Sequence, residues 1–179
     1  MTNARFHSGE LAVQERAGEA AIARRNGSAV SGKVMGGARL FLTQQPMIVL
    51  SSSDEKSAMW ASIVFGRPGF LASPDGAILD IDLNRAVVDP RDPLWVNVGR
   101  EKRLGSLVIE LASRRRIRIN GPARLDENHH LRIEVEESFP ACTKYITRRH
   151  VRIASLETQE GPWSADVGRR TLRSTLRDV

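Results

Sequence analysis

The chain has 179 residues and a mass of 19.9 kDa, enough for one domain with a substantial buried core. At 41% hydrophobic and 27% charged it has the balance of a soluble globular protein. No apolar run approaches the ~20 residues a membrane helix requires. The formal net charge is +6, and only four of the 27 basic residues are lysines (Lys33, Lys56, Lys102, Lys144), leaving 23 arginines. These are scattered, and aromatics make up only 5%, so the stacking surfaces of a single-strand binder are scarce and nucleic acid is set aside as a partner. The first residues run straight into charge without a signal-peptide core, and the one cysteine fits a reducing compartment. A cytoplasmic protein is expected.

In chain order, residues 8–26 read as a helix with Ser8 as N-cap, Glu10 in the first turn, Arg24 and Arg25 in the last, and Gly27 beyond. A Gly/Ser-rich joint, "GSAVSGKVMGG", follows, then a short helical piece, "ARLFLTQQ", stopped by Pro46. From residue 47 the pattern turns to strands: "MIVLSSS", "AMWASIVFG", "FLAS" and "AILDIDL", separated by the turns "DEKS", "GRPG" and "PDG". "PLWVNV" reads as a short helix. Strands resume with "LGSLVIEL", "RIRINGPARL" and "LRIEVEESF", and a last helix is expected from about Pro140, before a polar tail. Four strands, a short helix, three strands and a helix, joined by tight turns, describe an antiparallel barrel with helices packed outside. The divisions expected are a helical segment packing on the barrel (1–45), the barrel with its last helix (46–154) and the tail (155–179).

Several familiar chemistries are absent. "GSAVSGKV" has the spacing of a phosphate-binding loop, but Val34 stands where a magnesium-ligating hydroxyl is required, and no strand precedes it. The adjacent His129 and His130 sit in a turn with no ligand-spaced partner, so no metal site is expected. No nucleophile-elbow sequence occurs. The run Ser51–Ser53 reads as turn polarity. In "RRRIRINGPAR", Ile117 and Ile119 fall on one face of a strand and Arg116, Arg118 and Asn120 on the other. That ladder is either a solvated face or a grip for phosphate. Cys142 reads as a small, buried, inert thiol.

Four stretches together resemble a known family. "FHSGELAVQERAG" (6–18), "WASIVFGRPGF" (60–70), "RRRIRINGPA" (114–123) and "ACTKYITRR" (141–149) are similar, in order, to motifs of the pyridoxamine 5′-phosphate oxidase-related flavoproteins. The resemblance implies an FMN-binding split β-barrel, mainly β with flanking helices, that forms a homodimer with FMN between the subunits. It places Trp60, Ala61 and Ser62 beside the flavin ring, with Arg67 in the same hairpin. Arg91, Arg116 and Arg118 become candidates for the phosphate. Lys144 and Tyr145 are placed near cofactor or substrate as the candidate catalytic pair. The sequence departs from the last motif at Ala141, Thr143 and Thr147, where the family has Asn, Pro and Gln, so the ligand end of the site is expected to differ. The function expected is an FMN-dependent oxidoreductase acting on a small molecule. The alternative is a split barrel that holds flavin or haem without turnover, with His150 considered as an axial ligand.

Overall fold

A computed structural model describes residues 6–100 and 103–151. Three helices lead into the sheet: α1 (Ser8–Arg16), α2 (Ala20–Ser28) and α3 (Gly36–Thr43). The strands are β1 (Met47–Ser53), β2 (Met59–Gly66), β3 (Leu71–Ala72), β4 (Ile78–Asp82) and β5 (Ala86–Val87). Helix α4 (Pro93–Arg100) separates these from β6 (Arg103–Glu110), β7 (Arg115–Leu125), β8 (His130–Glu134) and β9 (Glu137–Pro140).

All nine strands form one antiparallel sheet in the order β3-β4-β8-β7-β6-β1-β2-β5, with β9 also paired to β7. The two ends of this path are covalently tied. β2 continues through residues 66–70 into β3, and β4 continues through the 3-10 turn Leu83–Arg85 into β5. These links curl the sheet into a half-barrel of the split-barrel kind, mainly β with flanking helices. Strict alternation fills its interior: Ile48 and Leu50 of β1, Leu79 and Ile81 of β4, Ile117 and Ile119 of β7, and Leu131 and Ile133 of β8 are all buried. Both end strands, β3 and β5, are two residues long, which leaves little free edge.

Several expectations need correcting. The helix over 8–26 is two helices, because Gly18 takes a left-handed φ of +69° and ends α1. Its N-cap is His7 and not Ser8. The strand expected over 131–139 is also two. Gly121 of β7 lies so close to the Glu134 carbonyl that a Cβ there would clash, and at this point the chain leaves its pairing with residues 123–125 for one with residues 117–120. β5 was not expected at all: two residues carry no readable period.

The helix from Pro140 is absent. Residues 141–151 run as irregular chain after β9, held by Ala141 N–H donating to the Arg116 carbonyl (3.3 Å) and Arg149 N–H to Leu111 (3.2 Å). Thr143, Ile146 and Thr147 are β-branched and contribute little helix propensity, so these strand-side bonds prevail. The expected tail from residue 155 lies outside the described residues.

Candidate functional site

The barrel has a second apolar surface, on its outside. Across β2-β1-β6-β7-β9, the outward positions line up by register: Ile63, Val49, Leu107, Arg118 and Phe139 form one row. Ala61, Ser51, Gly105, Asn120 and Glu137 form the next. On the other side, Val87 pairs with Phe65 and Phe65 with Met47, while Ile109 pairs with Arg116. The β2 end is hydrophobic and open to solvent, with Ile63 52% and Phe65 49% exposed, whereas the β7 end is cationic. β2 is therefore apolar on both faces, a pattern expected of a strand covered on both sides.

The sequence-predicted residues divide between surfaces. Ala61, Arg116 and Arg118 share the outer face: β2 and β7 are three strand spacings, roughly 14 Å, apart, and Arg118 lies one row and Arg116 two rows along from the row of Ala61. The Nε of Arg116 is buried and has no hydrogen-bond partner, and so is that of Arg114. An orphaned guanidinium donor beside an open face is a natural place for an anion. Ser62 points the other way, into the barrel, and its hydroxyl donates to Asp92 Oδ1 at 2.6 Å. Trp60 shares that parity but lies at the strand's start, half exposed, with Nε1–H donating to Asp54 Oδ2 at 3.1 Å.

The remaining candidates stand at the periphery. Arg67 is exposed in the link from β2 to β3, which do not pair, so the expected 60–70 hairpin is a corner between two parts of the sheet. Arg91 precedes α4, but its Nε and Nη2 both reach Asp89, each at 3.2 Å. That contact holds the Asp89 carboxyl below its ordinary range and raises Arg91. Lys144 and Tyr145 lie on the irregular segment after β9, where Tyr145 is 87% exposed and the Lys144 ammonium sits 5.4 Å from its ring centroid. Cys142 is exposed, correcting the buried-thiol expectation, and its sulfur accepts the Lys144 N–H at 3.4 Å. His150 is exposed.

Two features escaped the sequence reading. One is Asp92, which joins Ser62 to the first turn of α4 by also accepting the Leu94 N–H at 2.8 Å. An Asp before Pro was a readable helix-start signal. The other is the outer apolar face, readable from Ala61, Ile63 and Phe65 alternating with the inward set. A concavity of about 200 Å³, lined by Met47, Ile109 and Val151 among others, adjoins this face. It falls short of the ~300–1,000 Å³ of a ligand pocket. Among the described residues no cluster of His, Cys, Asp or Glu is placed to hold a metal, and no helix is long and apolar enough to cross a membrane.

By sequence, the chain matches no family model and no curated protein. By structure it is similar to a provisionally assigned pyridoxamine 5′-phosphate oxidase from Lactobacillus delbrueckii, with 13% identity, 61% of this chain and 95% of that one covered, and a TM-score of 0.47. HupZ from Group A Streptococcus aligns with 9% identity, 65% and 100% coverage and a TM-score of 0.48. HutZ from Vibrio cholerae, described as a haem storage protein, aligns with 9% identity, 60% and 94% coverage and a TM-score of 0.39. At these identities the likeness concerns the path of the chain and says nothing of ligand.

Proposed function

We propose that the chain is one subunit of a homodimeric flavoprotein, with FMN held between the outer faces of two barrels, acting as an oxidoreductase on a small molecule. The observation that carries this reading is the outer face itself: open apolar β2 residues at one end, and at the other Arg116, whose Nε is buried without an acceptor. The four sequence motifs support it, three of them lying on this face or beside it.

The residues fit the group. Arg116 and Arg118 offer guanidinium forks to a phosphate. Ala61, Ser51 and Gly105 are small, so a planar ring can approach the strands between the larger residues of the neighbouring row. Ser62 contributes backbone groups only, because its hydroxyl is committed to Asp92. Trp60 stands at the start of β2 and Arg67 just past its other end, so they bound the strand on which the ring would lie. Arg91 is available only if it releases Asp89. Lys144 supplies a positive charge and Tyr145 a hydroxyl proton to substrate or cofactor, both from an accessible segment. Bound FMN would supply hydride or electron transfer, while the protein orients it and excludes water. In this reading the second copy supplies the opposite wall of the site.

Absorbance and flavin fluorescence of protein mixed with FMN test the reading. Quenching with a Kd below ~1 μM, about 8 kcal/mol, is expected. Arg116→Ala should weaken FMN by tenfold or more, since a charged hydrogen bond contributes ~1.5–3 kcal/mol, while riboflavin, which lacks the phosphate, should lose far less. No flavin binding at all removes the proposal. The second reading, a flavin or haem holder without turnover, draws on the openness of Tyr145 and Lys144, which face solvent and not a formed pocket. A Soret band on adding haem, abolished in His150→Ala, would favour it.

A further inference from the structure

The opening motif "FHSGE" has no part in the flavin reading, and the geometry of α1 gives it one. Helix α1 is nine residues long and buries none of them. A helix that short is marginal in water unless something closes its ends. Here the cap is an imidazole. His7 Nδ1 accepts the backbone N–H of Gly9 (3.1 Å) and of Glu10 (3.3 Å), and Glu10 Oε2 in return accepts the His7 backbone N–H at 2.8 Å. This is a reciprocal capping box with histidine in the place usually held by Ser or Thr. Gly9 is part of it: a Cβ there would come within 3.1 Å of Cε1 and 3.2 Å of Nδ1 of the same ring. His and Glu thus act in one device, and Gly9 leaves the ring room at these spacings.

We infer that this cap makes α1 a proton-sensitive element. An imidazole nitrogen accepts a hydrogen bond only while it carries no proton, and two donors converging on Nδ1 fix the neutral ring as the tautomer with hydrogen on Nε2. Protonation turns Nδ1 into a third donor facing the other two. Both backbone bonds are then lost and the N-terminus of α1 frays. The sign follows directly: the cap is present at high pH and lost as pH falls. Among the described residues, the charged group paired with the ring is Glu10, whose Oε2 lies 3.7 Å from Nε2. It attracts an imidazolium but cannot replace Nδ1 as acceptor for the Gly9 and Glu10 amides. Among the described residues no side chain of α1 is buried, so the cap is a large part of what holds its first turn.

Hydrogen–deuterium exchange on the full chain tests this, comparing amide protection over residues 9–13 at pH 8 and pH 5 after correction for intrinsic exchange. The expected result is a fall of about fivefold, the scale on which single helix caps act. His7→Asn keeps a side-chain acceptor that cannot be protonated, so its protection should be similar at both pH values. His7→Ala should be low at both. The inference is overturned by wild-type protection equal at the two pH values, by unprotected amides already at pH 8, or by a fall in His7→Asn as large as in wild type.

Discussion

Ser62 and Asp92 join two elements that the sequence separates by 30 residues: the β2 hydroxyl donates to Asp92 Oδ1 at 2.6 Å, and the same oxygen caps the first turn of α4. Because Ser62 is 4% exposed, its loss leaves a carboxylate short of a partner at the helix start. Ser62→Ala should therefore cost about 1.5–3 kcal/mol in urea unfolding. FMN affinity measured well below the midpoint should stay within a few-fold of wild type. An unchanged midpoint together with lost flavin binding would restore Ser62 to the ligand site.

Gly66 closes the corner between β2 and β3 by letting Phe70 fold against its backbone. A Cβ at Gly66 would come within 2.4 Å of the Phe70 ring, and Phe70 is 1% exposed, so the ring has nowhere to go. Gly66→Ala is expected to destabilise by roughly 1–3 kcal/mol through overpacking. Adding Phe70→Leu should recover part of that loss, making the pair non-additive in a double-mutant cycle.

The barrel was legible because its strands alternate and its turns carry Gly, Pro and Asp. β1 is Met47–Ser53 in both sequence pattern and structure. The end of the chain misled for a physical reason. "ACTKYITRR" places Lys144 and Arg148 four apart, a helical spacing, but the bonds that decide its conformation go to Arg116 and Leu111, distant in sequence. The candidate site was half legible for a similar reason. Period two separates Ala61 from Trp60 and Ser62, yet a motif names all three together. Which residues of other strands line up beside Ala61 is decided by the register of β1, β6 and β7, which no local pattern reveals.

Cys142 offers a direct check on that last segment. Its thiol is exposed, on irregular chain. Native protein should react with Ellman's reagent at one thiol per chain without denaturant, and Cys142→Ser should leave flavin binding and turnover near wild type. Lys144→Ala and Tyr145→Phe, measured alongside, should do more harm. Turnover abolished by Cys142→Ser alone would assign thiol chemistry to this segment.

The β1–β2 turn predicts a pH response. Asp54 accepts the Trp60 indole N–H and the amides of Ala58 and Lys56, and these bonds hold its carboxyl below its ordinary value of 3.8. A lowered carboxylate supports the turn above that value and ceases to do so as pH falls through the folded-state one. The emission of Trp60 should accordingly stay constant from pH 7 to about pH 4 and change only below 3.8. In Asp54→Asn that acid transition should vanish from the difference spectrum, which also isolates Trp60 from the other two tryptophans. A transition centred above pH 4 would show that the carboxylate is not held as described.

The outer face supplies the most consequential test. Ile63 and Phe65 are half exposed within one chain, so charging them should cost the isolated fold little, on the order of 0.5 kcal/mol. If two barrels meet on this face, Phe65→Asp brings a carboxylate into an apolar contact without a counter-charge, and the dimer should dissociate. Light scattering is expected to give the dimer mass for wild type and the monomer mass for Phe65→Asp at the same concentration. Flavin binding should be lost with the dimer. Val96→Asp, at a position on α4 that is 58% exposed, introduces the same charge away from β2 and should leave both mass and binding unchanged. A wild-type monomer that still binds FMN tightly would place the whole site on one chain and discard the two-barrel arrangement.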